Sequence, residues 1–105
     1  MAYRVVITPE AEAGLRAAYR YIRNQSPQAA REWIRHARQS IRTLSQRPER
    51  CPLAPESASF EEPIRELLFG AGNRGTYRFF FIVVGQSVYI VHVRHGSMLP
   101  LSPGG

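Results

Sequence analysis

The chain contains no lysine and no aspartate, so its 14 basic residues are all arginines and its 8 acidic residues all glutamates. Chemistry that needs a lysine amine or an aspartate carboxylate is therefore excluded. A single cysteine, Cys51, rules out an internal disulfide and fits a reducing cytoplasm. Cysteine and histidine at zinc-binding spacing are missing too, so no metal and no cofactor are expected. No apolar run approaches the ~18 residues of a membrane span, and the first residues lack the apolar core of a signal peptide. These absences lead to the expectation of a cytoplasmic protein without membrane contact.

What the chain does have is positive charge. A formal net charge of +6 and a pI near 10.4 point to an acidic partner, either nucleic acid or an acidic protein. The length of 105 residues suits one domain, able to bury roughly 60–65% of its unfolded surface. Residues 1–96 are expected to form that domain, and 97–105 an irregular tail rich in Pro and Gly.

Residues Tyr3 to Ile7 alternate and are β-branched, which predicts a first strand. Thr8-Pro9-Glu10 is a helix start, with Thr as cap, Pro at the first position and an acid in the first turn. Ala11, Leu15, Ala18 and Ile22 then recur at helical spacing. Ser26-Pro27 repeats the start signal for a second helix with Ala30, Trp33, Ile34, Ala37, Ile41 and Leu44 on one face. The short link makes the two helices an antiparallel hairpin. Their opposite faces carry Arg16, Arg20 and Arg23, and Arg31, Arg35, Arg38 and Arg42. Prolines 48, 52, 55 and 63 predict a loop from Gln46 to Pro63, with one apolar side chain of Arg50 to Leu53 tucked under the helices. A strand over Ile64 to Phe69 follows, with Arg65 and Glu66 on opposite faces. Gly70 to Gly75 reads as a turn.

Thr76 to Gly96 organises the rest. Two limbs rich in Phe, Tyr, Ile and Val flank Gly85-Gln86, which suits a two-residue type II′ turn. Alternation puts Tyr77, Phe79, Phe81 and Val83 on one face of the first limb. In the second it groups Tyr89, Val91, Val93 and His95 against Val88, Ile90, His92 and Arg94. Both faces are apolar near the turn, so the hairpin should be central and covered on both sides there. Arg78, His92, Arg94 and His95 gather at the far end. The expected class is α+β: an N-terminal strand, an antiparallel helical hairpin, then a three-stranded antiparallel meander completing one small sheet in two layers.

In that order, YRVVITPEAEAGLRAAYRYI, SPQAAREWI, RPERCPLAPE and GTYRFFFIVVGQSVYIVHVRHG resemble the RelE/ParE superfamily of bacterial type II toxin–antitoxin toxins. The resemblance spans residues 3 to 96. It implies a cytoplasmic toxin that forms a hetero-oligomer with a cognate antitoxin, and one of two activities. RelE-like members cut mRNA on the ribosome, whereas ParE-like members inhibit DNA gyrase without nuclease activity. Cleavage would need a base, cations for the phosphate charge and an acid. The resemblance and side-chain chemistry offer Arg65, Glu66, Arg78, Arg94 and His95 for these roles, with Glu66 as base and His95 as acid. After VRHG the chain continues Ser97-Met98, and the tail has neither Arg nor Tyr, so part of the RelE-like set is missing. The ParE-like branch is therefore favoured. Arg65, Tyr77, Arg78, His92, Arg94 and His95 are the expected partner-binding residues.

Overall fold

The computed structural model describes residues 2–70, 75–98 and 101–103. Strand β1 (Arg4–Ile7) leads into helices α1 (Pro9–Arg23) and α2 (Pro27–Arg42). Strands β2 (Arg65–Gly70), β3 (Thr76–Val84) and β4 (Ser87–His95) follow. The sheet order is β1-β4-β3-β2, with β1 parallel to β4 and the other pairs antiparallel. The aromatic hairpin is thus central, and the α+β class holds.

Each helix begins where its cap predicts. Thr8 Oγ1 accepts from the Ala11 N–H at 3.3 Å and donates to the Ile90 carbonyl at 2.7 Å, so one hydroxyl caps α1 and ties it to β4. Ser26 Oγ accepts from the Ala29 N–H at 3.2 Å. Gly14 lets α1 lie directly on the sheet, because a Cβ there would come within 2.6 Å of the Val93 carbonyl oxygen.

The β3–β4 turn is Gly85-Gln86, with Val84 opposite Ser87 and Gly85 at φ +59°. Strict alternation fails further along β4. Phe80 faces His92 while Phe81 faces Ile90, which leaves Val91 as an extra residue in a β-bulge. The bulge reverses the parity of the strand. Val88, Ile90 and Val93 all enter the core under the helices, whereas Val91 packs on the opposite face. The expected grouping of Val91 with Val93 and His95 is therefore corrected. Simple period-two reading cannot anticipate one inserted residue.

Two apolar clusters cover the hairpin on its two faces. Under the helices, Leu15, Ile22, Trp33, Ile41, Phe79, Phe81 and Ile90 form the larger. On the other face Phe80 packs with Ala54, Ile64 and Leu101, flanked by Phe60, Ile82 and Val91. The connection expected to lack regular structure contains short 3-10 turns at Pro48–Arg50 and Pro55–Ser59, each opened by a proline whose fixed φ suits a tight turn. Cys51 is the side chain tucked under the helices, whereas Leu53 stays exposed. Of the turn expected between Gly70 and Gly75, residues 71–74 lie outside the described residues.

Candidate functional site

Strand β3 carries Arg78 onto the face away from the helices, beside Phe80, whose ring centroid lies 4.6 Å from the guanidinium carbon. Two carboxylates meet it there. Nη1 and Nη2 each donate to one oxygen of Glu56, both at 2.6 Å. Nε donates to Glu66 Oε1 at 2.8 Å, and Nη2 lies 2.7 Å from the same oxygen. All three guanidinium nitrogens are thereby committed. Glu56 comes from the Pro55–Ser59 turn and also accepts the backbone N–H of Leu101 at 3.2 Å. The Arg78 hydrogen bonds hold the Glu56 carboxyl down at about 2 against the opposing effect of burial, with help from backbone donors. Arg78 is pushed above its ordinary value by the same bonds to Glu56 and Glu66. An open cleft lined by Pro55, Glu56, Ser59, Glu66, Arg78 and Leu101 lies over this network.

Arg94 stands opposite Arg78 on β4, half-buried and with no hydrogen bond or ion pair among the described residues. His92, opposite Phe80, is half-buried, and burial lowers its pKa; the Glu10 charge opposes the shift and the Arg94 charge adds to it. His95 lies elsewhere. It is paired with Tyr77 and packs edge-on to that ring at 4.9 Å between centroids, with Tyr77 in the helix-side core. Its Nδ1 accepts the Ser97 N–H at 3.0 Å and lies 2.7 Å from the Ser97 hydroxyl. Tyr21, Tyr77, His95 and Ser97 line a shallow pocket at this end of the molecule. Gly75, at φ +75°, seats the ring, since a Cβ there would lie 2.7 Å from Nε2.

Arg65 points to the helix side of β2 and donates to the Cys51 carbonyl at 2.7 Å. Arg65 and Glu66 thus occupy opposite faces. The five residues offered for mRNA cleavage are divided among three places: Arg65 at Cys51, Glu66 with Arg78 and Arg94 on the outer face, and His95 against Tyr77. Of the residues expected to meet a partner, Tyr77 is buried beside Trp33, at 4.9 Å between ring centroids, and Arg78 is held by its carboxylates. His92, Arg94 and His95 remain accessible in part.

Glu56 and Leu101 join this network from the proline-rich loop and from the tail. No local signal could place them, because Glu56 reaches Arg78, and Leu101 reaches Glu56, through segments without periodicity.

The family model for the ParE toxin of type II toxin-antitoxin system, parDE, matches residues 5–100 of this chain. Among solved structures, a chain of the "Chromosomal ParDE TA system from P. aeruginosa" is similar at a TM-score of 0.67 and 22% identity. That match covers 90% of this chain and 96% of the other, and at such identity it speaks for the fold. No curated protein matches the chain.

Proposed function

Because the chain belongs to the ParE toxin family of type II toxin–antitoxin systems, we propose that it is a cytoplasmic toxin directed against DNA gyrase and held inactive by a cognate antitoxin. One observation carries the choice of target over mRNA cleavage. The guanidinium of Arg78 is consumed by Glu56 and Glu66, while His95 lies apart against Tyr77. A phosphate-cleaving site needs its cation, base and acid to converge on one reacting group within hydrogen-bond reach. Here the candidate base is already an acceptor for the candidate cation. The acid sits in a different pocket.

Neutralisation follows from charge and exposed apolar surface. A chain of net charge +6 favours an antitoxin segment bearing acids. Leu68 and Val84, each more than half exposed on β2 and β3, offer apolar contacts on the outer flank of the sheet. An amphipathic segment laid there would meet Arg94 and His92 with its acids.

The test uses purified toxin with gyrase and supercoiled plasmid. Linear DNA should accumulate after the protein is stripped, and only with active toxin present. With ribosomes and mRNA in place of gyrase, no cleavage is expected. Ribosome-dependent cutting by the wild type, abolished in a folded His95→Ala variant, would reverse the choice.

A further inference from the structure

Neither the Arg78 network nor the His95 pocket uses the flank of the helical hairpin where half of the chain's arginines lie. Glu12 of α1 and Arg38 of α2 meet across the two helices at 2.7 Å. That contact fixes which flank of each helix faces the other. Arg16 follows Glu12 by one helical turn, and its charge reaches Glu12; Arg20 and Arg23 continue the row. On α2, Arg35 and Arg42 flank Arg38 at helical spacings of three and four, and Arg31 lies two turns before it. Running antiparallel, the two rows converge along the furrow between the helices.

All six of Arg16, Arg20, Arg23, Arg31, Arg35 and Arg42 are exposed. None has an ion-pair partner among the described residues, whose salt bridges engage only Arg38 and Arg78. Arginines whose Cβ atoms stand about 5–6 Å apart along a helix repel one another, and native surfaces ordinarily intersperse acids to relieve this. In the furrow the one acid present, Glu12, is taken by Arg38. Glu32 lies three residues before Arg35, at the outer margin of the row, and makes no ion pair with it among the described residues.

We propose that this furrow binds the phosphate backbone of duplex DNA without reading its sequence. A protein partner would need apolar or aromatic anchors to form the dry centre of an interface. The large exposed apolar residues, Tyr21, Leu53, Leu68, Val84 and Met98, all lie off this flank. Tyr19, with Arg23 over its ring at 6.0 Å, packs partly into the core, so the furrow presents arginines without a large exposed anchor and matches a polyanion instead. Arginine forks bind phosphate oxygens bidentately, and release of condensed counterions drives the association. The inference does not rest on gyrase being the target.

Fluorescence anisotropy of a labelled random-sequence duplex, titrated with the whole protein between 50 and 200 mM salt, tests it. Binding should weaken with salt at a log–log slope of about −4 to −5, near −0.9 per phosphate neutralised. Arg16→Gln with Arg35→Gln should reduce the slope by about 2 and weaken binding about tenfold or more. Arg4→Gln with Arg47→Gln removes the same charge elsewhere and should leave the slope nearly intact. Arg16→Lys with Arg35→Lys retains the charge and should retain the slope, which guards against a folding artefact. Equal losses in the two Gln pairs would show a net-charge effect and overturn the site. A wild-type slope shallower than about −2 would also overturn it, as would Gln variants that lose antitoxin binding while keeping the duplex. A wild-type protein that binds the duplex but traps no gyrase would count against the gyrase reading alone.

Discussion

Arg78 takes its two carboxylates from Glu66, 12 residues earlier, and from Glu56, 22 residues earlier, and so pins the Pro55–Ser59 turn to the sheet. Through the Leu101 N–H on Glu56, the same contact holds the tail. Its main consequence is for stability. Glu56 has a folded value of about 2, below the ordinary 4.5, so its contribution is fully present above pH 4.5 and is lost as pH falls towards 2. The loss should be on the order of 3 kcal/mol. Urea unfolding between pH 7 and pH 2 will show it, and Glu56→Gln should flatten the lower part of the profile. Removing the cation leaves the buried Glu56 and the partly buried Glu66 unpaired, so Arg78→Ala should cost about 3–5 kcal/mol. Equal denaturation midpoints for Arg78→Ala and wild type would show the network to be idle. Any loss of toxicity in that variant reports unfolding before it reports a contact with the target.

Helix α1 is fixed to β4 by Gly14 and by the Thr8 cap, and Gly14 makes a prediction that helix propensity alone would get wrong. In an exposed helix Gly→Ala gains up to about 1 kcal/mol. At Gly14 the new methyl would meet the Val93 carbonyl oxygen at 2.6 Å, backbone that cannot swing aside. Gly14→Ala should therefore destabilise by about 1–3 kcal/mol, the usual cost of overpacking, and a raised melting temperature would show that α1 shifts freely. Helix α2 is anchored by Trp33, edge-on to Phe69 and Tyr77 at 5.8 and 4.9 Å between centroids. Trp33→Ala should cost about 3–5 kcal/mol in chemical denaturation. An unchanged midpoint would mean that the helix rests on its alanines.

For the whole molecule, charge decides how partners meet it. An antitoxin that binds the folded chain and not the unfolded one, as proposed above, should raise the melting temperature by several degrees when in excess. Its association should slow as salt rises from 50 to 500 mM, because long-range attraction to a +6 surface is screened. An association rate indifferent to salt would place the contact on the apolar flank near Leu68 and Val84 alone. The bulge at Val91 matters at this scale too. It sends His95 to the helix side and keeps His92 and Arg94 outside, so residues adjacent in sequence serve different surfaces.

The sequence alone determined the elements and the class. Thr8-Pro9 and Ser26-Pro27 set the helix starts, helical spacing set the faces at Leu15 and Trp33, and Gly85-Gln86 set the hairpin. These signals are local: each depends on residues within one or two turns of chain, where backbone geometry repeats. It also fixed the opposite orientations of Arg65 and Glu66, since a regular strand alternates. Only the tertiary structure decided what those side chains do. The Glu56–Arg78–Glu66 network, Leu101 over Phe80, Gly14 against Val93 and the isolation of His95 from Glu66 all join segments distant in sequence. Their pairing follows from loop paths and from one bulged residue, neither of which carries a period, so no pattern in the chain encodes them singly. They are fixed by the mutual packing of the helical layer, the sheet and the loop on its far face.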